Sequence, residues 1–119
     1  MKIWRNSNDA WKEVLPGVFS RVLSEAEFCT LSTVLFKQGA TYPLHKAKEK
    51  HFGMLTKGAG TFDTGKEKVN FREGDAFFIE PGEDHGFTNV SNGDSIVLEA
   101  FAPSKKEHLA QTQRPQIGY

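Results

Sequence analysis

Three of the four histidines, His45, His51 and His85, stand where they could share one site. His45 and His51 flank the charged stretch Lys46 to Lys50, and His85 follows the turn residues Pro81-Gly82. Residues two apart in a strand share a face, so His45 and His51 can oppose one another across a hairpin, with His85 arriving from its own turn. Neutral imidazoles bind divalent transition cations, and three of them leave positions open for water or substrate, the arrangement of a catalytic rather than a structural centre. The open position could be taken by Glu49, which has the strand parity of His45 and Ala47, or by the substrate itself. The metal set expected is therefore His45, His51, His85 and Glu49, and its donor types admit Zn, Ni, Fe or Mn. The competing assignment makes these histidines surface or hydrogen-bonded core residues. His108, beside Lys105-Lys106-Glu107, reads as solvated. Cys29 is the single cysteine, which excludes an intrachain disulfide or a multi-cysteine metal site, and in a strand it reads as a small buried hydrophobe.

The elements that must hold these side chains are strands. From Gly39 onward breakers recur about every ten residues, at Pro43, Gly58-Ala59-Gly60, Asp63-Thr64-Gly65, Glu73-Gly74-Asp75, Pro81-Gly82 and Asn92-Gly93-Asp94. Such spacing leaves room for short strands and tight turns, the mark of an antiparallel sandwich or barrel. Phe28 to Phe36 is the one stretch where a helix competes, because Ser24 and Glu27 imitate a capping box. Its Cys, Thr, Ser and Val residues are mediocre helix formers, and a strand is expected. Further strands are expected at Val69 to Phe71, Ala76 to Ile79, Gly86 to Val90 and Ser95 to Phe101, with a hairpin turn at Asp63-Thr64-Gly65-Lys66. Lys2 to Pro16 reads as an irregular or edge arm, and Gln111 to Tyr119 as a loosely held tail.

A chain of 119 residues with 38% hydrophobic and 25% charged residues is one globular domain. Fifteen basic residues balance fifteen acidic ones, leaving no net positive field for a phosphate backbone, so nucleic acid is not an expected partner. No apolar stretch is long enough to cross a bilayer and the N-terminus lacks an apolar signal core, which points to a soluble, cytoplasmic protein without a membrane partner. Ten Phe and two Trp in so short a chain supply much of the core, and a homodimer contact is expected from the surplus.

Two stretches resemble the cupin motifs G-x5-HxH-x(3,4)-E-x6-G and G-x5-PxG-x2-H-x3-N. Gly39, His45 and Gly58 meet the first, with His51 at the acid's position and Ala47 at that of the second histidine. Gly74, Gly82, His85 and Asn89 meet the second, with Glu80 in place of proline. The resemblance implies an all-β, single-domain cupin, an antiparallel β-barrel or double-stranded β-helix (jelly roll), with an arm over residues 1–16, a barrel over 17–109 and a polar tail over 110–119.

Within that family the chain is similar to the small pectin-degradation (KdgF-like) cupins, which help open unsaturated uronates. Pro16-Gly17-Val18 matches their P-G-V element, Gly53 and Leu55 are retained after His51, and Val97 to Leu109 follows their V-L-D-V-F-S-P-x-R-E-D-Y-L ending. The resemblance implies catalytic roles for Glu99, Phe101 and Lys105. Glu99 is a methylene longer than the subgroup's Asp, and Lys105 lacks the bidentate grip of Arg on a carboxylate, so a different substrate is implied. Parity sets Val97, Glu99 and Phe101 on one face of their strand and Ile96, Leu98 and Ala100 on the other.

The activity expected is metal-assisted, isomerase- or lyase-like, on a small sugar acid or other carboxylated metabolite. The alternatives are a three-histidine iron dioxygenase and a non-catalytic small-ligand or sensor barrel lined by Phe36, Phe52, Phe77, Phe78, Phe87 and Phe101.

Overall fold

Breaker residues cut the chain into short extended segments. The computed structural model describes residues 1–5, 11–104 and the backbone of 116–118, and among these every regular element is a strand. In chain order they are β1 (Lys2–Trp4), β2 (Lys12–Leu15), β3 (Val18–Ala26), β4 (Cys29–Phe36), β5 (Thr41–Lys46), β6 (Lys50–Lys57), β7 (Ala59–Asp63), β8 (Lys68–Arg72), β9 (Ala76–Ile79), β10 (Asp84–Asn89), β11 (Ser95–Ala102) and β12 (Gln116–Gly118). The Phe28–Phe36 ambiguity resolves to a strand, and β8 to β11 fall on the segments expected. The Asp63–Lys66 turn joins β7 to β8, with the Gly65 amide donating to Asp63 Oδ1 at 2.9 Å.

Two antiparallel sheets face one another as a jelly roll. A six-stranded sheet runs β2-β3-β4-β11-β6-β9 and a four-stranded sheet runs β5-β10-β7-β8. The core between them is Val18, Val34, Phe36, Leu55, Phe87 and Val97. Gly60 on β7 makes room for the Phe87 ring of the neighbouring strand β10, since any Cβ there would collide with that ring. Asn89 ties the end of β10 to two loops. Its Nδ2 donates to the carbonyls of Phe36, Lys37 and Gly93, and its Oδ1 accepts from the Ser91 amide and the Ser91 and Ser95 hydroxyls.

Four expectations need correction. His45 and His51 do not face across a hairpin, because β5 and β6 belong to different sheets and the chain between them crosses from one layer to the other. The tail expected to be loosely held pairs where it is described, Gln116–Gly118 (β12) forming a ribbon with β1, while residues 111–115 and 119 lie outside the described residues; the arm supplies the edge expected of it, with β2 bordering the large sheet. Cys29 is exposed, since it opens β4 right after an exposed hairpin tip rather than within the sheet interior. Phe52 and Phe78 are about half exposed on the outer face of the large sheet, paired with each other at 4.7 Å, and do not line the cavity between the sheets. No helix of the described residues is long and apolar enough to cross a membrane.

Candidate functional site

The cross-strand register assembles the site from both layers. In the small sheet His85 on β10 sits directly opposite His45 on β5, with ring centroids 4.1 Å apart. In the large sheet His51 on β6 sits opposite Phe101 on β11, and Glu99, two residues back on the same face of β11, pairs with Gly53. The layers meet where the His51 ring comes within 5.4 Å of His85. His45, His51, His85, Glu99 and Phe101 line one cavity of about 150 Å³, together with Tyr42, Phe62 and Phe87.

Two of the rings are pinned by backbone carbonyls and the third by packing. Nδ1 of His45 lies 2.8 Å from the Pro43 carbonyl and Nδ1 of His85 lies 3.1 Å from the Glu83 carbonyl. A carbonyl can only accept, so in both rings Nδ1 carries a proton and donates it, which leaves Nε2 as the atom that can ligate. His85 Nε2 is buried without a hydrogen-bond partner. Burial lowers the pKa of His85 to about 4, so this ring is neutral and electron-donating at physiological pH. His51 is 4% exposed, stacked on Phe101 at 4.1 Å and set edge-on to Phe77. Its Nε2 is 3.2 Å from Glu99 Oε1, but the pair lacks hydrogen-bond alignment, and both ring nitrogens are buried without a hydrogen-bond partner. Buried nitrogens left unbonded carry a desolvation cost that a ligand would relieve.

The donor chemistry fits a divalent transition cation: three imidazoles, two with Nδ1 pinned, and a neighbouring carboxylate. Among the described residues no group of three or more His, Cys, Asp or Glu side chains is arranged to grip an ion as it stands, so the rings share a cavity wall rather than a preset polyhedron.

Of the residues expected from sequence, His45, His51, His85, Glu99 and Phe101 come together at the cavity. Glu99 faces inward, since Val97 and Phe101 share its face and are 2% and 3% exposed. Glu49 lies in the bend between β5 and β6 and does not line the cavity. Lys105 and His108 lie outside the described residues. Tyr42 and Phe62 were not anticipated. Tyr42 and His45 are three apart, and both face inward because a bulge in the β5–β10 ladder shifts the alternation between them.

The family model described as a cupin domain matches residues 32–101. Among solved structures, KdgF from Halomonas sp. superposes with a TM-score of 0.81 at 24% identity, over 89% of this chain and 96% of that one. An RmlC-like cupin from Shewanella frigidimarina gives a TM-score of 0.76 at 18% identity, over 82% and 86% of the two chains. The polyketide cyclase RemF from Streptomyces resistomycificus gives 0.70 at 20% identity, over 86% and 80%. At these identities the likeness establishes the fold.

Proposed function

The chain belongs to the cupin family, and from that premise we propose that it is a metal-assisted enzyme acting on a small carboxylated metabolite, a sugar acid foremost, in an isomerase- or lyase-like step. The observation that carries this reading is the convergence of three buried or half-buried imidazoles on one cavity beside Glu99. His45, His51 and His85 would hold the cation, which when bound supplies Lewis acidity toward a substrate hydroxyl, carbonyl or carboxylate oxygen.

The remaining roles belong to side chains of this chain. Glu99 carries the proton: its carboxylate is within 3.2 Å of His51 and faces the cavity, in reach of a small molecule held there. Phe101 positions the His51 ring by stacking on it. Phe36, Phe62 and Phe87 keep the far wall apolar, which excludes water around a reacting carbon and strengthens the polar contacts at the mouth. A cavity of about 150 Å³ suits a monosaccharide-sized ligand rather than a polymer. That aromatic wall also supports a second reading, a barrel that holds a ligand without turning it over.

One assay separates these two readings and the iron dioxygenase. Unsaturated galacturonate incubated with protein loaded with Zn²⁺, Ni²⁺, Mn²⁺ or Fe²⁺ is expected to lose its ultraviolet absorbance, including under anaerobic conditions. Binding without absorbance loss favours the ligand-holding barrel, and turnover only with iron and oxygen uptake favours the dioxygenase.

The outer face of the large sheet supports a homodimer. Phe78, Phe52, Met54, Ile96, Leu98, Ala100, Leu31 and Leu35 follow one another across β9, β6, β11 and β4, with no charged residue among them. Phe52 is 51% and Phe78 44% exposed, a contiguous apolar surface of the kind a monomer rarely leaves in water. A second copy presents the same apolar patch, as an isologous contact requires, with Lys57 at its edge opposite Ile96. Sedimentation velocity is expected to show a dimer for the native chain and a folded monomer for the Phe52→Glu/Phe78→Glu variant. A monomeric native protein contradicts this.

A further inference from the structure

The polar side chains of the cavity fall into two groups. Tyr42, His45, His51, His85 and Glu99 cluster at one end, the Tyr42 ring 4.4 Å from that of His45. The other group is Ser20 alone, on the inner face of β3, which lines the same cavity and is 7% exposed. Its hydroxyl has no hydrogen-bond partner among the described residues, and it opens onto the cavity instead. The row it belongs to is otherwise aliphatic: Ser20 sits opposite Val34 on β4, Val34 opposite Val97 on β11, and Val97 opposite Leu55 on β6. A hydroxyl set in an apolar wall without a partner costs about 1–3 kcal/mol, a cost that an oxygen-bearing ligand removes. Glu99 lies two residues along β11 from Val97. Two strand spacings across and two residues along put Ser20 about 12 Å from Glu99 at Cα, a span that suits a hexose-sized acid lying lengthwise. Between the two ends the wall is Val34, Val97, Phe36 and Phe87, with no polar side chain among them.

We propose that Ser20 is a specificity-determining residue that reads the end of the substrate farthest from the histidines. The ligand lies with its carboxylate at the histidine end, its carbon skeleton along the valine and phenylalanine belt, and a terminal hydroxyl or carbonyl oxygen on Ser20 Oγ, which can donate or accept. The substrate class narrows to small acids that carry an oxygen at the end opposite the carboxylate. A sugar acid meets that requirement and a simple alkanoate does not. No bond is made or broken at Ser20. The assignment rests on the reading that the histidine end takes a carboxylate.

Binding alone tests the assignment, without turnover. Isothermal titration of the Zn²⁺-loaded protein compares ω-hydroxyhexanoate with hexanoate, two acids that differ only in the terminal hydroxyl. The native protein is expected to bind the hydroxy acid about fivefold more tightly, the effect of one net hydrogen bond in a buried site. Ser20→Ala is expected to lose that preference while still binding hexanoate, a change in the ratio of two affinities that a general loosening of the fold does not produce. Equal affinity of the native protein for the two acids overturns the role of Ser20 and needs no variant to show it. A preference that survives in Ser20→Ala overturns it as well. In both cases the histidine end still binds a carboxylate and the metal-assisted reading stands. If neither acid binds, the carboxylate placement is overturned, and the substrate reading and the role of Ser20 fall with it.

Discussion

Asn89→Ala is expected to lower the unfolding free energy by about 4 kcal/mol, enough to leave a domain of ordinary stability near its threshold. The side chain is 1% exposed and satisfies groups from three directions at once: the Phe36 and Lys37 carbonyls at the end of β4, the Gly93 carbonyl of the β10–β11 turn, and the Ser91 and Ser95 hydroxyls. Alanine removes these hydrogen bonds and that of the Ser91 amide, six in all, each worth about 0.5–1.5 kcal/mol net, while the Lys37 carbonyl keeps the Ala40 amide, the Gly93 carbonyl the Ser91 hydroxyl and Ser95 Oγ the Ala59 carbonyl. Asn89→Asp keeps the shape but replaces the donor with an acceptor facing three carbonyls, so it is expected to be at least as damaging. Urea unfolding followed by circular dichroism reads both. A loss under about 1 kcal/mol for Asn89→Ala would mean that the loops close without it. The second cupin motif therefore ends in a structural residue, four positions beyond the histidine that lines the cavity.

His51→Ala is expected to weaken divalent-metal binding at least about 100-fold while leaving the fold intact. His51 is the only one of the three imidazoles contributed by the large sheet, so its removal takes away the donor that joins the two layers. The cavity left beside Phe101 and Phe77 costs stability, but it does not touch the core cluster of Val18, Val34, Phe36, Leu55, Phe87 and Val97. His51→Phe is the control, since it restores the stacking volume and supplies no nitrogen. Isothermal titration with Co²⁺ or Zn²⁺ into metal-free protein is expected to show both variants equally impaired. Native affinity in His51→Phe would mean that the ring serves packing alone.

The strands were legible because breakers recur at every turn from Gly39 to Gly93, and the three histidines because motif spacing fixes them relative to those turns. The partition of β5 and β6 between two sheets was not legible. A charged turn between two strands reads the same whether the strands pair or cross between layers. A bulge hid Tyr42, since the one in the β5–β10 ladder brings Tyr42 and His45 to the same face. Ser20 gave no signal, because small polar residues are ordinary in strands and only the folded sheet shows its hydroxyl in the cavity wall. Glu49 shared the parity of His45, but its strand ends at Lys46 and parity loses meaning in the bend beyond.

The central claim is that imidazoles from both sheets take up one cation. Crystals grown with Zn²⁺ and measured at energies on either side of the zinc absorption edge decide it. The expected result is one anomalous peak within bonding distance of Nε2 of His45, His51 and His85, absent from His51→Phe crystals. No peak in the cavity, or a peak bound to surface carboxylates while the His51 ring stays packed on Phe101, would contradict it.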